Sequence, residues 1–269
     1  MNSAEVARIR RIIELDDDRQ IASLLELQRA WAAYALCDLE PPHRRYARFI
    51  GAMMADRVTA VVLVYRPDGF TSVLPSGDPE DVAAILAETT DLPTSPLLIV
   101  QTRNRAAVAT RYRIDHAWTM LRMLVHADSL RPVTAPDAAV VLLTPDHFEA
   151  ARALYNRWPD TVFTPFMFEH GIYYGAYRAG NLVAVAGTHA MSSKYRIGVI
   201  GNVFTHSDHR GRGLAAAVTG AVAGALLARG ALDVALNVRD DNAPAIAAYS
   251  RLGFQVDEPF WEAKATLRA

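Results

Sequence analysis

The residues best suited to chemistry lie in one short segment that runs from a predicted strand through two glycines into a predicted helix. The segment spans residues 203–216 and includes Val203, Phe204, Thr205, Arg210, Gly211, Arg212, Gly213, Leu214, Ala215 and Ala216. Because glycine lacks a β-carbon, Gly211 and Gly213 allow an anion to approach the backbone closely. The N–H groups and dipole of the following helix favour negative charge there, and Arg210 and Arg212 add positive charge. The pattern predicts a diphosphate-binding turn.

Other phosphate-binding turns do not fit this segment. It lacks the Gly-Lys-Ser/Thr ending of an ATP-binding P-loop. It also lacks the three-glycine dinucleotide fingerprint, and no acidic residue closes a following strand at the required distance. The remaining alternative is a helix N-terminus whose glycines are incidental.

Residues 210–215, Arg-Gly-Arg-Gly-Leu-Ala, resemble the Arg/Gln-x-x-Gly-x-Gly/Ala signature of the GCN5-related N-acetyltransferase (GNAT) superfamily. Residues 236–242 and 248–254 resemble its second motif, and the resemblance extends from Ala139 to the C-terminus. It implies an N-acyltransferase with acetyl-CoA or another acyl-CoA as co-substrate, no metal, and a small-molecule or peptide amine as acceptor. The amine would attack the thioester directly in a ternary complex. The alternative is a non-catalytic CoA-binding regulatory or assembly protein, and homodimerisation is left open.

The resemblance also assigns roles to individual residues. The backbone groups of Val203, Phe204 and Thr205 would bind the pantetheine arm, and an N–H near Phe204 would polarise the thioester carbonyl. The diphosphate would lie on residues 211–216. The two strands that hold the cofactor would part after Thr205 and after Val238.

Two residues of the second motif would complete the site. Asn242 would cap the helix that starts at Ala243 and hydrogen-bond to the cofactor arm, with a plain N-cap as the alternative. Tyr249 would protonate the departing thiolate as a general acid. The alternative for Tyr249 is a core position beside Ile246 and Leu252, which share its helical spacing.

The general base is not evident, because Asn237 stands where many members of the superfamily carry a glutamate. Val199 and Asn202 occupy the strand region in which other members carry an acid. Four candidates, acting directly or through water, are His189, Glu169, His170 and His206. The alternative for each histidine is a surface or hydrogen-bonded core residue. A dedicated base is also unnecessary if the amine arrives partly neutral.

An aromatic segment after the first helix of this half is predicted to line the acceptor pocket. Its members are Trp158, Phe163, Phe166, Met167, Phe168 and Tyr173, with Tyr174, His189 and Trp261 as further candidates. The alternative is that these side chains form core. The sequence has no acidic cluster that would select a polycationic acceptor, and no basic cluster that would select a phosphorylated one. It therefore does not identify the acceptor.

The elements that must position these residues are predicted from hydrophobic periodicity and turn residues. In the C-terminal half, strands are predicted at residues 139–143, 172–177, 182–191, 197–205, 232–238 and 254–267, the first of them as a buried strand. Helices are predicted at residues 212–228 and 243–252. A further helix follows the N-cap Thr144, stops before Pro159 and buries Phe148, Ala151, Leu154 and Tyr155. This order predicts a mixed sheet flanked by helices.

The N-terminal half has a similar alternation of predicted helices and strands. Helices are predicted at residues 4–15, 18–34, 79–88 and 105–112, and strands at residues 59–65, 71–74 and 97–102. Residues 104–112 echo residues 242–249, and this half resembles the degenerate domain of glycine N-acyltransferase-like proteins. The predicted fold class is α/β (α+β), with two GNAT-like domains, each a mixed, mostly antiparallel twisted sheet flanked by helices. The predicted domains are 1–130, degenerate, and 137–269, catalytic, on either side of a proline-containing segment.

The composition limits the classes of binding partner and the location that can be predicted for the chain. The 269 residues carry a net charge of -1 without a run of lysine or arginine, so neither nucleic acid nor an anionic membrane is a predicted partner. The N-terminus lacks an apolar signal-peptide core, and the longest uncharged stretch, residues 213–228, is too short to span a bilayer, which predicts a cytoplasmic protein. The single cysteine, Cys37, excludes an intrachain disulfide and is predicted to be buried. His206-x-x-His209 lacks an evident third metal ligand.

Overall fold

The computed structural model describes residues 10–158 and 161–268. These residues form two compact units: unit 1 comprises residues 10–120 and 258–268, and unit 2 comprises the described residues of 121–257. Each unit holds a mixed, mostly antiparallel sheet flanked by helices, which confirms the predicted fold class. The proline-containing segment that was predicted as the boundary lies inside unit 2. Residues 258–268 belong to unit 1, because the last strand pairs there with a strand of that unit.

Unit 1 is built on a mixed sheet that contains a parallel pair of neighbouring strands. Its strands are β1 (Arg10–Glu14), β2 (Ala47–Met54), β3 (Arg57–Tyr65), β4 (Ser72–Gly77), β5 (Leu97–Gln101) and most of both β6 (Tyr112–Val125) and β12 (Gln255–Leu267). The order is β1-β2-β3-β4-β5-β12, with β4 and β5 parallel. Its helices are α1 (Asp18–Leu25), α2 (Ala33–Cys37), α3 (Pro79–Glu88) and α4 (Arg105–Ala109).

The predicted helix over residues 4–15 is wrong in its described part. Residues 10–14 form β1, which pairs antiparallel with β2 from Arg10↔Met54 to Glu14↔Ile50. A strand that pairs with a neighbour so distant in sequence obtains its backbone hydrogen bonds through tertiary structure, which local helical periodicity does not reveal. Residues 4–9 lie outside the described part of the chain.

The predicted helix over residues 18–34 is interrupted. Helix α1 ends at Leu25, a short 3-10 turn follows, and α2 begins at Ala33. The interruption accompanies the burial of Trp31, whose indole N–H donates to Ser76 Oγ at 2.9 Å. Cys37 at the end of α2 is fully buried, as predicted.

Helix α3 coincides with its prediction, whereas two strands besides β1 were not predicted. Helix α3 begins at Pro79 because Asp78 caps it, accepting hydrogen bonds from the N–H groups of Glu80 and Asp81. Strands β2 and β6 were missed, since β2 is buried on nearly every residue and neither strand alternates strictly between buried and exposed positions.

Unit 2 also contains one parallel pair of strands. Its strands are β7 (Ala139–Leu142), β8 (Tyr173–Arg178), β9 (Asn181–Ser192), β10 (Ile197–Thr205) and β11 (Asp233–Arg239). They follow the order β11-β10-β9-β8-β7, with β10 and β11 parallel. Its helices are α5 (Phe148–Tyr155), α6 (Pro165–His170), α7 (Leu214–Ala228) and α8 (Ala243–Arg251).

Most predicted elements of this half are confirmed within a residue or two, and β10 has its predicted bounds. Strand β7 differs, because it was predicted as a buried strand and is instead half-exposed at the edge of the sheet, where it pairs with β8. Helix α6 was not predicted. It begins at Pro165, and the side chain of Thr164 caps it by accepting from the Met167 N–H.

The sheet of unit 2 is covered by different clusters on its two faces. Along β9, Ala184 and Ala186 belong to the cluster that includes α7, whereas Val185 belongs to a second cluster. Successive strand residues point to opposite faces, so these clusters lie on opposite sides of the sheet. The second cluster is built mainly from α5, α6 and aromatic side chains, and it is called the aromatic face below. Across the described residues, none of the helices is long and apolar enough to cross a membrane.

Candidate functional site

The parallel strands β10 and β11 part before either strand ends. Their register runs from Ile197↔Asp233 to Ile200↔Leu236. Beyond this last pair, β10 continues to Thr205 and β11 to Arg239. The sequence predicted a parting after Thr205 and Val238, so it occurs earlier on both strands than expected.

A bulge in β10 explains the early parting. Gly201 pairs with Gly187 of β9 and Phe204 with Val185, so two residues of β10, Asn202 and Val203, face a single residue of β9. Asn202 adopts a left-handed backbone with φ 52°. A bulge of this kind bends its strand and removes local peptide groups from the regular ladder. The parted segment of β10 therefore includes all three of its predicted cofactor-binding residues.

The glycine turn after β10 is open toward solvent. Gly211 and Gly213 have φ values of 74° and 76°, and a Cβ placed on either would meet no other group within 4 Å. Gly213 is the N-cap of α7. The backbone hydrogen bond that begins this helix runs from the Ala217 N–H to Gly213 O at 3.0 Å. No described residue provides a backbone acceptor for the N–H groups of residues 211–216. The turn thus offers several free donors in open space, which fits a bound diphosphate.

The charges around this turn favour an anion. Arg210 and Arg212 are exposed, and Arg210 Nε donates to Thr205 O at 3.3 Å. The first turn of α7 carries no acidic residue, and Asp208 is the one carboxylate between Val203 and Ala216. Among the described residues, the buried Thr205 hydroxyl has no hydrogen-bond partner.

The predicted cap of α8 is confirmed. Asn242 Oδ1 accepts from the Ala245 N–H at 3.3 Å, and Pro244 lies in the first turn of the helix. Tyr249 is buried within the cluster that includes α7, together with Leu252 and Phe254. Burial raises the pKa of the Tyr249 hydroxyl to about 12, which keeps it protonated at neutral pH. This position is compatible with both predicted alternatives for Tyr249.

The four candidate bases lie in different surroundings. Glu169 and His170 are exposed on α6, and His170 Nδ1 lies 3.0 Å from Phe166 O. His206 Nδ1 accepts from the Asp208 N–H at 3.3 Å, in the turn after β10. His189 alone joins the interior of the bulge, since its Nε2 lies 3.1 Å from Asn202 Oδ1.

The bulge is held by a group of polar contacts centred on Asn202. Tyr155 Oη donates to Asn202 O at 2.5 Å, and Asn202 Nδ2 lies 3.4 Å from Tyr173 Oη. From the sequence, Asn202 was predicted only as a position without an acid, and Tyr155 was predicted to be buried. The pair Gly201-Asn202 inside a strand pattern is a sequence sign of a bulge that would have drawn attention to both.

The predicted acceptor-pocket residues fall into separate groups. Trp158 stacks on Phe204 with ring centroids 5.6 Å apart and planes 14° apart. Trp158 and Phe163 line a pocket of about 180 Å³, whose other described lining residues are Arg152, Tyr155, Asn156 and Thr161. Phe168 and Tyr173 are instead buried core. Trp261 belongs to unit 1 through the pairing of β12 with β5, and the Arg105 guanidinium lies 3.5 Å from its ring centroid.

No group of three or more potential metal ligands comes together among the residues that the structure describes. The pair His206 and His209 has ring centroids 5.7 Å apart.

Comparisons with known proteins identify one sequence family and many similar folds. Residues 140–254 match the sequence model of the acetyltransferase (GNAT) family. No curated protein sequence matches the chain significantly. A GCN5-related N-acetyltransferase from Kribbella flavida is 21% identical with a TM-score of 0.64, over 89% of this chain and 98% of its own.

Two further solved structures are similar along almost the whole chain. A Drosophila protein is 16% identical with a TM-score of 0.72, over 94% of this chain and 97% of its own. A tandem GNAT protein from the clavulanic acid biosynthesis pathway is 17% identical with a TM-score of 0.55, over 96% of this chain and 98% of its own. At these identities the similarity establishes the fold.

Proposed function

Because residues 140–254 match the sequence model of the acetyltransferase (GNAT) family, we propose that this chain is an acyl-CoA-dependent N-acyltransferase of that superfamily. It transfers an acetyl or other acyl group from acetyl-CoA or another acyl-CoA to a primary amine, supplied by a small molecule or a peptide. The observation that carries the proposal is the parting of β10 and β11 after Ile200↔Leu236, close before an open glycine turn with free N–H donors.

The residues of this turn and of the parted strand would hold the cofactor. The N–H groups of residues 211–216, with Arg210 and Arg212, would bind the diphosphate, while Asn242 would hydrogen-bond to the arm. The unpaired edge of β10 at Val203–Thr205 would pair with the amides of the pantetheine as a strand does. When bound, acyl-CoA supplies an activated acyl group; the chain supplies orientation and proton donors.

Two groups of the chain would assist the transfer. A backbone N–H of the bulge near Phe204 would donate to the acyl oxygen, where negative charge develops. The hydroxyl of Tyr249 would deliver a proton to sulfur. Burial raises the pKa of Tyr249 further above neutral pH, so the hydroxyl carries this proton there, as an ordinary tyrosine does. An acceptor on the aromatic face would meet the stacked rings of Trp158 and Phe204.

Unit 1 repeats this arrangement of strands without the features that bind a cofactor. Its parallel pair β4 and β5 is in register only at Ser72↔Leu97 and Val73↔Leu98, after which both strands continue. Beyond this point, protein side chains hydrogen-bond to each strand: Trp31 donates to Ser76 of β4, and Gln28 accepts from Gln101 of β5 at 3.3 Å.

Helix α3, which follows β4, is also unsuited to a diphosphate. Its N-cap is Asp78 and its first turn carries Glu80 and Asp81, so the N-terminus is negatively charged and its donors are already used. We therefore propose that unit 1 is a degenerate GNAT-like domain, similar to that of glycine N-acyltransferase-like proteins, and that each chain binds one CoA. The similarity to a tandem GNAT protein over nearly the whole chain supports this proposal.

A thiol-release assay tests the enzymatic activity. Acetyl-CoA is incubated with the protein and with ethanolamine, benzylamine, glycine or phenylalanine, and free CoA thiol is measured over time. Amine-dependent release with formation of the N-acetyl product is expected for at least one amine. Absence of amine-dependent release together with tight CoA binding would favour the second candidate, a non-catalytic CoA-binding regulatory or assembly protein, which Asn237 at the usual glutamate position motivates.

A further inference from the structure

The hydroxyl of Tyr155 holds one backbone carbonyl of the β10 bulge. Tyr155 is the last residue of α5, and its Oη donates to Asn202 O at 2.5 Å. Both residues are buried. The carbonyl lies at the irregular position of the strand, where Asn202 and Val203 face a single residue of β9 and Asn202 has φ 52°. A side chain from a helix thus fixes the direction of a carbonyl inside the bulge.

The same peptide group carries the N–H of Val203. The Asn202–Val203 peptide is trans. In a planar trans peptide, the C=O and the N–H of the next residue point in opposite directions. The hydrogen bond from Tyr155 to the Asn202 carbonyl therefore also fixes the direction of the Val203 N–H.

The ladder between β10 and β9 shows which edge of the strand this N–H faces. His206 N–H donates to Val183 O at 2.9 Å, and Phe204 pairs with Val185. Hydrogen-bonded pairs recur at every second residue of an antiparallel ladder, so Phe204 also directs its backbone groups toward β9. Its neighbour Val203 then directs its N–H toward the opposite edge of β10.

That opposite edge is the one from which β11 parts. In the sheet, β11 lies beside β10 on the side away from β9, and the last pair on this edge is Ile200↔Leu236. Val203 lies beyond this pair, and its side chain packs against the cluster that includes α7. The Val203 N–H therefore faces the opening between the parted strands.

We propose that Tyr155 is a positioning residue that directs the Val203 N–H at the acyl oxygen. This inference rests on the proposed N-acyltransferase function, identifies the N–H near Phe204 as that of Val203, and names the side chain that orients it. Donation to the Asn202 carbonyl also polarises the peptide group, which makes its N–H a stronger donor. As the amine nitrogen bonds to the acyl carbon, negative charge develops on the acyl oxygen and the N–H stabilises it. The charge returns to the carbonyl as the carbon–sulfur bond breaks.

Tyr155 itself transfers no proton. Burial raises the pKa of its hydroxyl well above the ordinary value, so the proton stays in the hydrogen bond to Asn202 O. The protons of the reaction follow the route of the proposed function. The amine nitrogen loses one proton to water, sulfur takes one from Tyr249, and Tyr249 regains one from water.

The polarisation of the acyl group can be measured without an acceptor. The full chain is saturated with acetyl-CoA that carries 13C at the acyl carbonyl, and isotope-edited infrared spectra give the stretching frequency of the bound thioester carbonyl. The wild type is expected to lower this frequency relative to free acetyl-CoA. Tyr155→Phe keeps the ring that packs 4.4 Å from Phe163, measured between centroids, but should lose most of the shift. A wild-type frequency equal to that of free acetyl-CoA would overturn the proposal, whether or not the variant folds.

Tyr173→Phe is the matched control for that variant. Tyr173 is similarly buried, and its Oη lies 3.4 Å from Asn202 Nδ2, so its removal affects the side chain of the same residue and not its carbonyl. The carbonyl frequency is expected to stay near that of the wild type, although both variants lose stability. Equal loss of the shift in both variants would show that general loosening of the bulge is the cause, and would overturn the proposal.

Steady-state kinetics test the same role during turnover. With the amine that gives the highest wild-type rate, kcat of Tyr155→Phe is expected to fall about tenfold to 10²-fold, less than when such a donor is removed outright. The Kd for CoA should stay within about twofold. A kcat within about twofold of wild type would overturn the proposal, and so would a loss of CoA affinity large enough to explain the lower turnover.

The CoA titration separates failure of the proposed function from failure of this inference. If the wild-type protein fails to bind CoA, the proposed function fails and the role of Tyr155 fails with it. If CoA binds and the carbonyl frequency does not depend on the Tyr155 hydroxyl, only the assignment of Tyr155 is wrong.

Discussion

Ile200 of β10 pairs with Leu236 of β11 as the last partners of a parallel pair whose strands both continue further. The bulge at Asn202 and Val203 directly follows this pair on β10. The peptide edge that opens there leads, through Thr205, to a turn with two left-handed glycines and free helix N–H groups. An extended amide-rich ligand with an anionic end matches this succession of a free strand edge and an anion-binding turn.

Placing a carboxylate in the glycine turn should abolish cofactor binding. In Gly213→Glu, the side chain enters the open space above the turn and opposes a diphosphate electrostatically, so affinity for CoA should fall at least about tenfold. The left-handed backbone should also destabilise the variant by about 1–2 kcal/mol. Isothermal titration and thermal unfolding measure the two effects.

Gly180→Glu is the matched control for that variant. Gly180 has φ 78° and equally open surroundings, but it lies in the turn between β8 and β9. We expect a similar loss of stability with unchanged CoA affinity. Equal losses of affinity in both variants would show that strain, rather than a diphosphate site, explains the effect.

Removing one hydroxyl should separate catalysis from binding. Tyr249→Phe preserves the ring that packs beside Phe254, with centroids 6.2 Å apart, but removes the proton donor. The kcat should fall about 10²-fold with CoA affinity within about twofold. Tyr112→Phe in unit 1, which loses a hydrogen bond to Pro93 O, should leave kcat unchanged. Wild-type turnover in Tyr249→Phe would assign Tyr249 to the core alone.

The stacked pair Trp158 and Phe204 should contribute to acceptor binding. Loss of the indole in Trp158→Ala removes one wall of the pocket on the aromatic face, so KM for the amine should rise roughly threefold to tenfold, in line with an aromatic contact of about 0.5–1.5 kcal/mol. KM for acetyl-CoA should not change. Trp158→Phe retains a stacking ring and should recover most of the loss. A rise in the KM for acetyl-CoA alone would place the cofactor, not the amine, against this wall.

The buried carboxyl of Asp38 should make stability depend on pH. Burial raises the pKa of Asp38 above its unfolded value, so the folded state favours the protonated form. The carboxyl therefore costs stability as pH rises from its unfolded pKa through its folded pKa, and the full cost remains above that window. Asp38→Asn cannot ionise.

We therefore expect a higher Tm for Asp38→Asn than for wild type near neutral pH, by roughly 2–4 °C per kcal/mol recovered. The difference should shrink in acidic buffer. Asp56→Asn, at an exposed position, should show no such trend. A constant or inverted difference across pH would show that desolvation of Asp38 is not the cause.

Sequence patterns predicted elements where local chemistry decides their ends. Helix α3 could be predicted because Asp78 and Pro79 mark its start, and α8 because Asn242 and Pro244 do the same. Residues 10–14 were assigned to a helix since their pairing with β2 is a tertiary effect. The glycine turn could be predicted in the same way as these helix caps, because in both cases the residue types at the position determine the local backbone.

The detailed geometry of the candidate site was harder to predict from the sequence. The point at which β10 and β11 part depends on the bulge, and the left-handed backbone of Asn202 follows from contacts with Tyr155, Tyr173 and His189. These residues are distant in sequence, so no pattern within one strand predicts their meeting. Trp261, a further candidate for the acceptor pocket, lies on β12, which pairs with β5 in unit 1.

Isothermal titration of the purified full chain with acetyl-CoA tests the central claim most directly. We predict saturable binding of one acetyl-CoA per chain, lost in Gly213→Glu and retained in Gly180→Glu. Heats that never saturate, or two equivalent sites per chain, would contradict the assignment of a single cofactor site to the parted strands of unit 2.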